Sequence, residues 1–419
     1  MSTNTSGANN VGVGYQCLQL STTASNNVGV GYGALYANTE GHSNVAVGHG
    51  ALIANTEADH NIAIGKDAMG ATVNTGAGYN IAIGGEALDG ANTAEHNIGI
   101  GYQALGLADT TGARNIAIGN QAIENLTSGT DNIGIGVHTL EAASSANTNL
   151  AIGSYALEDM TDGTRNVALG YCAGQKCITS DYSVYIGFEA GRDVNTNHNT
   201  LIGFNSGKDN ADMGASNTAV GSYTMAGGTS GVSVDNTCIG YASGYAITSG
   251  DANAGLGHGA GYDITTGSNN VCIGNNAGRS TSPHHITTDS NRVVIGNSSI
   301  TNSYIQVDWT TGSDERDKTD IQDISIGLDF VNQLKPKSFW FKTDRTSSPA
   351  VKTGDKKYGF LAQDILALEG SDNVVIDNDD TNSLKYQGSH LIPILVNAIK
   401  DLSTKNDALE ARIATLEAK

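Results

Sequence analysis

Long apolar runs are missing from this sequence of 419 residues. No stretch approaches the ~20 apolar residues that a helix needs to cross a bilayer, and residues 1–10 lack the basic start and apolar stretch of a signal peptide. Basic residues are also scarce, because 22 Lys and Arg stand against 42 Asp and Glu, for a formal net charge of −20. This charge argues against nucleic acid or an anionic membrane as the main partner, so we expect neither nucleic-acid binding nor membrane insertion.

Cysteine and histidine are too scattered to suggest a metal or cofactor site. The five cysteines are odd in number and match no zinc signature; they are Cys17, Cys172, Cys177, Cys238 and Cys272. We interpret them as small buried residues. The ten histidines form no metal-binding pattern either. We therefore expect no metal ion and no cofactor.

Glycine is abundant, but it is concentrated in residues 1–312, which hold 49 of the 54. It does not recur at every third position, which excludes collagen. Charged residues have the opposite distribution, with 32 in residues 1–312 and 32 in the much shorter segment 313–419. The change in composition predicts two different structural units joined near residue 313.

One motif, Asn-(Val/Ile)-(Ala/Gly)-(Val/Ile)-Gly, accounts for the glycine-rich part. It recurs seventeen times, with drift, at spacings of 16 to 22 residues and most often 17. Its final glycines, called rung glycines below, are Gly14, Gly31, Gly48, Gly65, Gly84, Gly101, Gly119, Gly136, Gly153, Gly170, Gly187, Gly203, Gly221, Gly240, Gly257, Gly274 and Gly296. Alternating large and small residues predict a short strand. One unit cannot bury its apolar edge alone, whereas stacked units can.

The sequence therefore predicts a mostly β protein with a repetitive parallel β-roll or solenoid of about 17 rungs. At about 4.8 Å per rung, the rod would be on the order of 80 Å long. We assign residues 1–9 to an N-terminal tail, 10–300 to the repeat β-roll and 301–312 to a connector.

Two further positions of the repeat are conspicuous. The third residue after the rung glycine is small in the first nine copies, which suits close approach of backbones, either between rungs or between subunits. The next residue is Leu, Met or Ile in those copies and usually Gly from Gly170 onward, so we expect the cross-section of the coil to narrow there.

Tyr often follows the rung glycine and predicts a column of rings along the rod. Ordinary packing of the rings is favoured over a glycan-binding ladder.

The repeats resemble the head repeats of trimeric autotransporter adhesins and of many viral tail-fibre proteins. The resemblance implies a left-handed parallel β-roll that trimerises about a central axis. A calcium-binding β-helix is disfavoured because its G-G-x-G-x-D pattern is not repeated. An ice-binding face is disfavoured because Thr does not hold one register position.

Residues 313–419 carry a different set of motifs. They open with Ser-Asp-Glu-Arg-Asp-Lys at 313–318, continue with the Gly327–Pro336 run and a Gly-Phe-Leu-Ala-Gln-Asp block at 359–364, and end with a Tyr followed by a helix. In this order they resemble the intramolecular chaperone domain at the C-terminus of phage endosialidases, tail spikes and tail fibres, which is a self-cleaving serine peptidase family.

The resemblance implies a single self-cleavage by a Ser–Lys dyad. Ser313 would be the nucleophile, Lys318 the general base, and the bond between Gly312 and Ser313 the one that is cut. Lysine accepts a proton only when neutral, which normally requires burial. The nearby carboxylates of Asp314, Glu315 and Asp317 favour the charged lysine, so we expect them to point away from it.

A heptad pattern ends the sequence. Position a is occupied by Ile392, Ile399, Asn406 and Ile413, and position d by Leu395, Leu402, Leu409 and Leu416. The pattern predicts a coiled coil over about 390–418 and therefore an oligomer. Ile at a, Leu at d and a buried Asn favour a coiled coil of two helices, whereas both resemblances imply three chains. We expect a homotrimer.

The sequence thus favours a viral tail-fibre or host-adhesion protein whose C-terminal domain drives trimer folding and is released by autoproteolysis. The only enzyme activity expected is one turnover of self-cleavage.

The expected partners are two further copies of the chain and a host-surface receptor, for which a glycan is one candidate. Ten residues before the first rung leave little room for a virion-attachment domain, so the chain either docks on another fibre or baseplate protein or is a fragment. The expected location is the virion, after synthesis in the host cytoplasm. The alternatives are a trimeric cell-surface adhesin and a glycan-degrading tail spike.

Overall fold

The computed structural model describes residues 3–71, 78–90, 93–106, 110–228, 231–280, 282, 284–300, 302–304, 306, 312–342, 349, 351–370, 373–378 and 384–418. The chain forms two compact units, Met1–Asn297 and Ser298–Lys419. The predicted connector 301–312 lies mostly outside the described residues. Its bounds, and those of the other predicted domains, stay predictions.

Seventeen strands of three residues each form the first unit. They are β1 Val11–Val13, β2 Val28–Val30, β3 Val45–Val47, β4 Ile62–Ile64, β5 Ile81–Ile83, β6 Ile98–Ile100, β7 Ile116–Ile118, β8 Ile133–Ile135, β9 Leu150–Ile152, β10 Val167–Leu169, β11 Val184–Ile186, β12 Thr200–Ile202, β13 Thr218–Val220, β14 Thr237–Ile239, β15 Ala254–Leu256, β16 Val271–Ile273 and β17 Val293–Ile295. Each strand pairs in parallel with the next one along the chain, so that Val28 lies opposite Val45 and Ile62 opposite Ile81. The predicted parallel β-solenoid of seventeen rungs is confirmed.

The strands place their small middle residue inside the coil and their two large residues outside. Ala46 in β3 and Ala63 in β4 are fully buried, whereas the flanking Val45 is half-buried and Val47 is exposed. The small third residue after the rung glycine, such as Ala51, is also fully buried. In these rungs two small side chains therefore lie inside the coil, and the close approach occurs within one chain.

The rung glycine is required by the backbone geometry. Gly119, for example, has a φ of 139°, a region that residues with a side chain rarely adopt. A Cβ at this position would also overlap the carbonyl oxygen of Gly136 in the next rung. Both constraints recur along the stack, which explains why glycine ends the motif.

The motif asparagine forms a buried ladder. The Oδ1 of Asn27 accepts a hydrogen bond from the backbone N–H of Asn44 (2.8 Å), and its Nδ2 donates to the carbonyl of Gly41 (2.8 Å). Equivalent bonds join Asn44 to Asn61 and continue through most rungs. Each amide thus satisfies buried backbone groups that the three-residue strand leaves without a partner.

The coil keeps a buried core after Gly170, and the expected narrowing of its width there stays a prediction. The fourth residue after the rung glycine has a positive φ in both halves of the solenoid, 51° at Leu157 and 59° at Gly174. Glycine adopts this conformation without strain. At Gly191 the ring of Tyr185, from the middle of β11, fills the space of the lost leucine, since a Cβ on Gly191 would overlap this ring.

The second unit is a small α+β arrangement. Its elements are a 3₁₀ turn at Glu315–Asp317, α1 Leu328–Val331, β18 Lys337–Lys342, β19 Lys352–Gly359, α2 Ala362–Glu369, β20 Ile376–Asp377, β21 Lys385–Tyr386, a 3₁₀ turn at Gly388–His390 and α3 Leu391–Glu417. β18 and β19 form an antiparallel pair, as do β20 and β21. The predicted small domain ending in a long helix is confirmed.

One face of the start of α3 closes the core of this unit. Leu391 and Ile394 pack with Phe330 of α1 and Ile365 of α2. The heptad residues of α3 lie outside this core and are exposed to solvent, with 67% of the surface of Ile399 and 56% of that of Leu402 accessible. The helix therefore has one face against its own unit and a second apolar face that the single chain leaves uncovered.

Candidate active site

The 3₁₀ turn at Glu315–Asp317 is the first regular element described in the second unit. Asp314 caps this turn, because its Oδ1 accepts a hydrogen bond from the backbone N–H of Arg316 (2.9 Å). The backbone N–H of Lys318 donates to the carbonyl of Glu315 (3.1 Å) and ends the turn. The turn reverses the chain within five residues and brings the side chain of Lys318 back to Ser313.

Ser313 and Lys318 are in direct contact. The Lys318 Nζ lies 2.8 Å from the Ser313 Oγ and 3.1 Å from the Ser313 carbonyl oxygen. With the ammonium as donor, the serine oxygen accepts; if Lys318 loses a proton, the same distance lets the Ser313 hydroxyl donate to Nζ. This is the contact that a serine nucleophile and a lysine base require.

The neighbouring Gly312 is exposed, and among the described residues nothing crowds the position of a Cβ there. No heavy atom lies within 4 Å of the position that a Cβ on Gly312 would occupy, leaving aside the adjoining residues. Gly312, Ser313 and Lys318 are all exposed in the single chain. The three predicted site residues are therefore adjacent, in open surroundings.

The predicted interference from acidic neighbours is reduced by Arg316. Its guanidinium donates to both carboxylate oxygens of Asp314, through Nε to Oδ1 (3.0 Å) and through Nη2 to Oδ2 (2.6 Å). These hydrogen bonds lower the pKa of the Asp314 carboxyl and raise the pKa of Arg316. Within the described part of the chain, no carboxylate lies within ion-pair distance of the Lys318 ammonium, as the sequence predicted for Asp314, Glu315 and Asp317.

Two residues of α3 were missed by the sequence analysis, although they hold the segment that follows the site. The Nδ2 of Asn397 donates to the carbonyls of Ile324 (3.2 Å) and Ile326 (3.0 Å). The Oδ2 of Asp401 accepts from the backbone N–H of Leu328 (3.0 Å) at the start of α1. The polar positions of a heptad usually indicate solvent exposure, so only the tertiary structure could reveal this role.

The ring column on the solenoid consists of neighbouring ring side chains, of whose seven contacts four are stacked and three are edge-to-face. Eight consecutive rungs carry neighbouring rings with centroids 5.1–5.9 Å apart; they are His138, Tyr155, Tyr171, Phe188, Phe204, Tyr223, Tyr241 and His258. Where the rings are parallel, as for Tyr171 and Phe188, each covers the face that a sugar would need for stacking. This supports the interpretation as packing between rungs.

The cysteine thiols are buried in the solenoid. Burial raises the pKa of Cys177 and of Cys272 to about 11 and that of Cys238 to about 12, which disfavours the reactive thiolate. Across the described ranges, no group of three or more His, Cys, Asp or Glu side chains is placed to hold a metal ion. No helix in those ranges has the length and apolar character to span a bilayer.

Comparison with known families places the candidate site within a recognised region. Residues 313–375 match the model of a peptidase family described as the chaperone of endosialidase, a self-cleaving chaperone domain. The match begins at Ser313 and covers the 3₁₀ turn, α1, the β18–β19 pair and α2. No curated protein and no solved structure matches the chain. An endosialidase-type chaperone region beside a long parallel β-solenoid is consistent with a tail-fibre or tail-spike protein.

Proposed function

We propose that the chain is a homotrimeric viral tail-fibre protein whose C-terminal region, residues 313–419, guides trimer folding and is then released by self-cleavage between Gly312 and Ser313. The observation that carries the proposal is the 2.8 Å contact between the Lys318 Nζ and the Ser313 Oγ. It lies at the first residue of a match to a self-cleaving chaperone family.

The proposed chemistry is an acyl transfer followed by hydrolysis. Neutral Lys318 takes the hydroxyl proton of Ser313, and the Oγ attacks the carbonyl carbon of Gly312. The bond from this carbon to the Ser313 nitrogen breaks, the nitrogen takes a proton and leaves as an amine, and an ester joins Gly312 to the Ser313 Oγ. Water then hydrolyses the ester, so that the chain divides into segments of 312 and 107 residues.

Lys318 needs more than proximity to act as a base. A lysine becomes neutral near pH 7 only if its charged form is disfavoured by roughly 4–5 kcal/mol, normally through burial. The side chain is exposed in the single chain. We infer that neighbouring subunits supply the burial, so that cleavage follows assembly.

The apolar surface needed for such an assembly is present close to the site. Ile321, Ile324 and Ile326, which follow Lys318, are exposed, and so is the heptad face of α3. A coiled coil formed by α3 would hold three chains together, and Asn397 and Asp401 would tie the segment after Lys318 to that helix. The burial of Ser313 and Lys318 would thereby depend on the assembly of the three chains.

The solenoid would act as the adhesive part of the fibre, on the virion, in contact with a host-surface receptor. Its repeats offer a long, stiff scaffold, and the surface turns between strands carry the variable residues. Released from its chaperone, the rod would unfold only slowly, because the segment that aligned its chains is gone.

The test is the mass and oligomeric state of the purified chain and its variants. Wild type is expected to form trimers and yield segments of 312 and 107 residues, whereas Ser313→Ala and Lys318→Met should stay intact as trimers. Ser325→Ala and Lys335→Met, which change exposed residues of the same unit, are the matched controls and should be cleaved. An Ile399→Asp variant should remain both unassembled and uncut. Cleavage of Ser313→Ala at the same bond, or rapid cleavage of monomeric Ile399→Asp, would contradict the proposal.

A further inference from the structure

A cleft opens on the solenoid where the coils that follow β9, β10 and β11 lie side by side. It has a volume of about 390 Å³, within the range of about 300–1,000 Å³ that is typical of small-ligand sites. Its lining combines two rings of the ring column, Tyr155 and Tyr171, with the polar side chains of Glu158, Gln175 and Glu189. Both its size and its mixed lining therefore suit a small polar ligand.

The cleft exists because a small residue lies between two large ones at one position of the repeat. The second residue after the rung glycine is Tyr155, Cys172 and Glu189 in three consecutive rungs. Consecutive rungs lie about 4.8 Å apart, so the backbone positions of Tyr155 and Glu189 are separated by about 10 Å. Only the thiol side chain of Cys172 lies between them, and it is 5% exposed. Cys172 thus forms the floor of the cleft.

The stacking of the ring column is broken at the same place. The rings of Tyr155 and Tyr171 meet edge to face, with centroids 5.7 Å apart and planes inclined at 80°. The sequence explains the break, since Tyr155 is the second residue after its rung glycine and Tyr171 is the first after its own. An edge-to-face contact leaves one ring face uncovered by the other ring, and 46% of Tyr171 is exposed. An apolar ring surface is therefore available beside polar groups.

The two cations that line the cleft, Lys176 and Arg192, are already paired with carboxylates. The guanidinium of Arg192 donates to Asp193 (2.8 Å) and to Asp209 (2.7 Å). The ammonium of Lys176 lies 2.7 Å from the carboxylate of Asp193. An anionic ligand would have to displace these carboxylates before it could reach either cation.

Hydrogen-bond acceptors, in contrast, remain available in the cleft. The Oε2 of Glu158 accepts from the Nε2 of Gln175 (2.5 Å), whereas its Oε1 has neither a hydrogen-bond donor nor a cation beside it in the described part of the chain. A carboxylate without a cation repels anions and accepts strong hydrogen bonds from hydroxyl groups. The cleft therefore favours a neutral ligand that is rich in hydroxyls.

We propose that this cleft binds one pyranose ring of a neutral host-surface glycan, an inference that rests on the adhesive role proposed above for the solenoid. A pyranose ring has an apolar C–H face and hydroxyls around its rim. The apolar face would lie against the uncovered ring face at the contact of Tyr155 with Tyr171. Hydroxyls of the same sugar would donate to the Oε1 of Glu158 and to the Oε1 of Gln175.

Binding of oligosaccharides to the purified full-length chain tests the assignment. The probes are neutral oligosaccharides of glucose, galactose, mannose and N-acetylglucosamine, and an acidic set that carries sialic or uronic acid. Titration calorimetry should show that wild type binds at least one neutral probe more tightly than every acidic probe.

Charge removal at the cleft gives the first comparison. Glu158→Gln should weaken binding of the neutral probe about tenfold, because an amide oxygen is a poorer acceptor than a carboxylate. Glu141→Gln is the matched control, since Glu141 occupies the same position in the preceding rung and its carboxylate already contacts the His138 Nδ1 (2.7 Å). This control should bind as wild type does.

Two ring substitutions test the shape of the cleft. Cys172→Tyr should abolish binding, because the new ring fills the cleft; the backbone tolerates tyrosine there, since φ is 52° at Cys172 and 62° at Tyr155. Tyr155→Ala should weaken binding at least about tenfold. Tyr223→Ala, the control, removes a ring from the same position of the repeat four rungs further along, also in edge-to-face contact, and should bind normally. Unchanged trimer mass and self-cleavage in all variants separate lost binding from lost folding.

The outcomes distinguish this inference from the proposed function. Loss of binding in the three cleft variants, with both controls unaffected, supports it. A trimeric, cleaved wild type that binds no neutral probe would overturn the assigned site and leave the proposed folding and cleavage standing. Neutral binding that survives Cys172→Tyr, or tighter binding of an acidic probe, would overturn it as well. Chains that stay monomeric and uncut would refute the homotrimer, and the same comparison on these monomers would still decide the inference, because the cleft lies within one chain.

Discussion

Replacing one asparagine of the buried ladder should weaken the solenoid locally and strongly. Asn132 is fully buried; its Oδ1 accepts from the backbone N–H (3.1 Å) and Nδ2 (3.1 Å) of Asn149, and its Nδ2 donates to the Ala146 carbonyl (2.7 Å). Asn132→Ala leaves the Asn149 N–H and the Ala146 carbonyl without a partner. At about 1–3 kcal/mol for each buried unsatisfied group, the expected loss is about 2–6 kcal/mol.

Hydrogen exchange of individual amides measures the loss of local stability in the Asn132→Ala variant. A global unfolding measurement could miss it, since a repeat array need not unfold as one unit. The amide of Asn149 and those of β8 and β9 should exchange at least about 30-fold faster, which corresponds to about 2 kcal/mol, while distant rungs stay unchanged. Asn125→Ala removes an exposed asparagine of the same repeat, whose Nδ2 donates to the Glu141 carbonyl, and should have little effect. Equal exchange rates in the two variants would refute the structural role given to the ladder.

Three further predictions concern a glycine, the cleavage site and a thiol. Gly119→Ala should lower the melting temperature by several degrees because a Cβ would overlap the next rung, whereas Gly85→Ala should be tolerated, since the nearest atom to its Cβ would be 3.6 Å away; equal melting temperatures would contradict this. Asp314→Ala should slow cleavage several-fold more than Asp314→Asn, because Asn can still cap the turn through its Oδ1; equal cleavage rates of the two variants in a gel time course would contradict a role for the cap. Burial raises the pKa of Cys238 to about 12, so the wild-type rod should lose stability above pH 9, where only the unfolded thiol ionises. The Cys238→Ala rod should lose less over the same range, and parallel pH profiles would exclude this contribution.

The solenoid could be predicted from the sequence because the motif that specifies one rung occurs seventeen times. The period, the parallel pairing and the strand positions follow from the spacing of the rung glycines. Which strand face lies inside did not follow from periodicity, because alternation alone does not distinguish a coil filled by alanines from one filled by valines. The change from Leu157 to Gly174 did not reveal that the ring of Tyr185, from the strand of the next rung, fills the space beside Gly174.

The candidate site was expected from the family resemblance, carried over by position onto the motif at residues 313–318, and the side chains of Ser313 and Lys318 are in contact. A separation of five residues joins Ser313 and Lys318 through one turn, so few other contacts are needed. The pairing of Asp314 with Arg316 is also local, but sequence alone could not separate it from an ion pair between Asp314 and Lys318. The contacts of Asn397 and Asp401 span more than 70 residues and depend on how α3 packs.

The same uniformity that makes the solenoid stable creates an alignment problem for three chains. In β5, β6, β7 and β8 the outer positions are all isoleucine, so a chain displaced by one rung, about 4.8 Å, would bury nearly the same surface. In the proposed homotrimer, such a repeated surface would supply adhesion between subunits but little information about register. The heptad helix α3 occurs once per chain, and its Asn406 among isoleucines favours one alignment. In the proposed homotrimer this helix would set the register of a uniform rod and would become dispensable once the rungs are aligned. This division of roles would explain why such a solenoid is joined to a chaperone that the proposed cleavage removes.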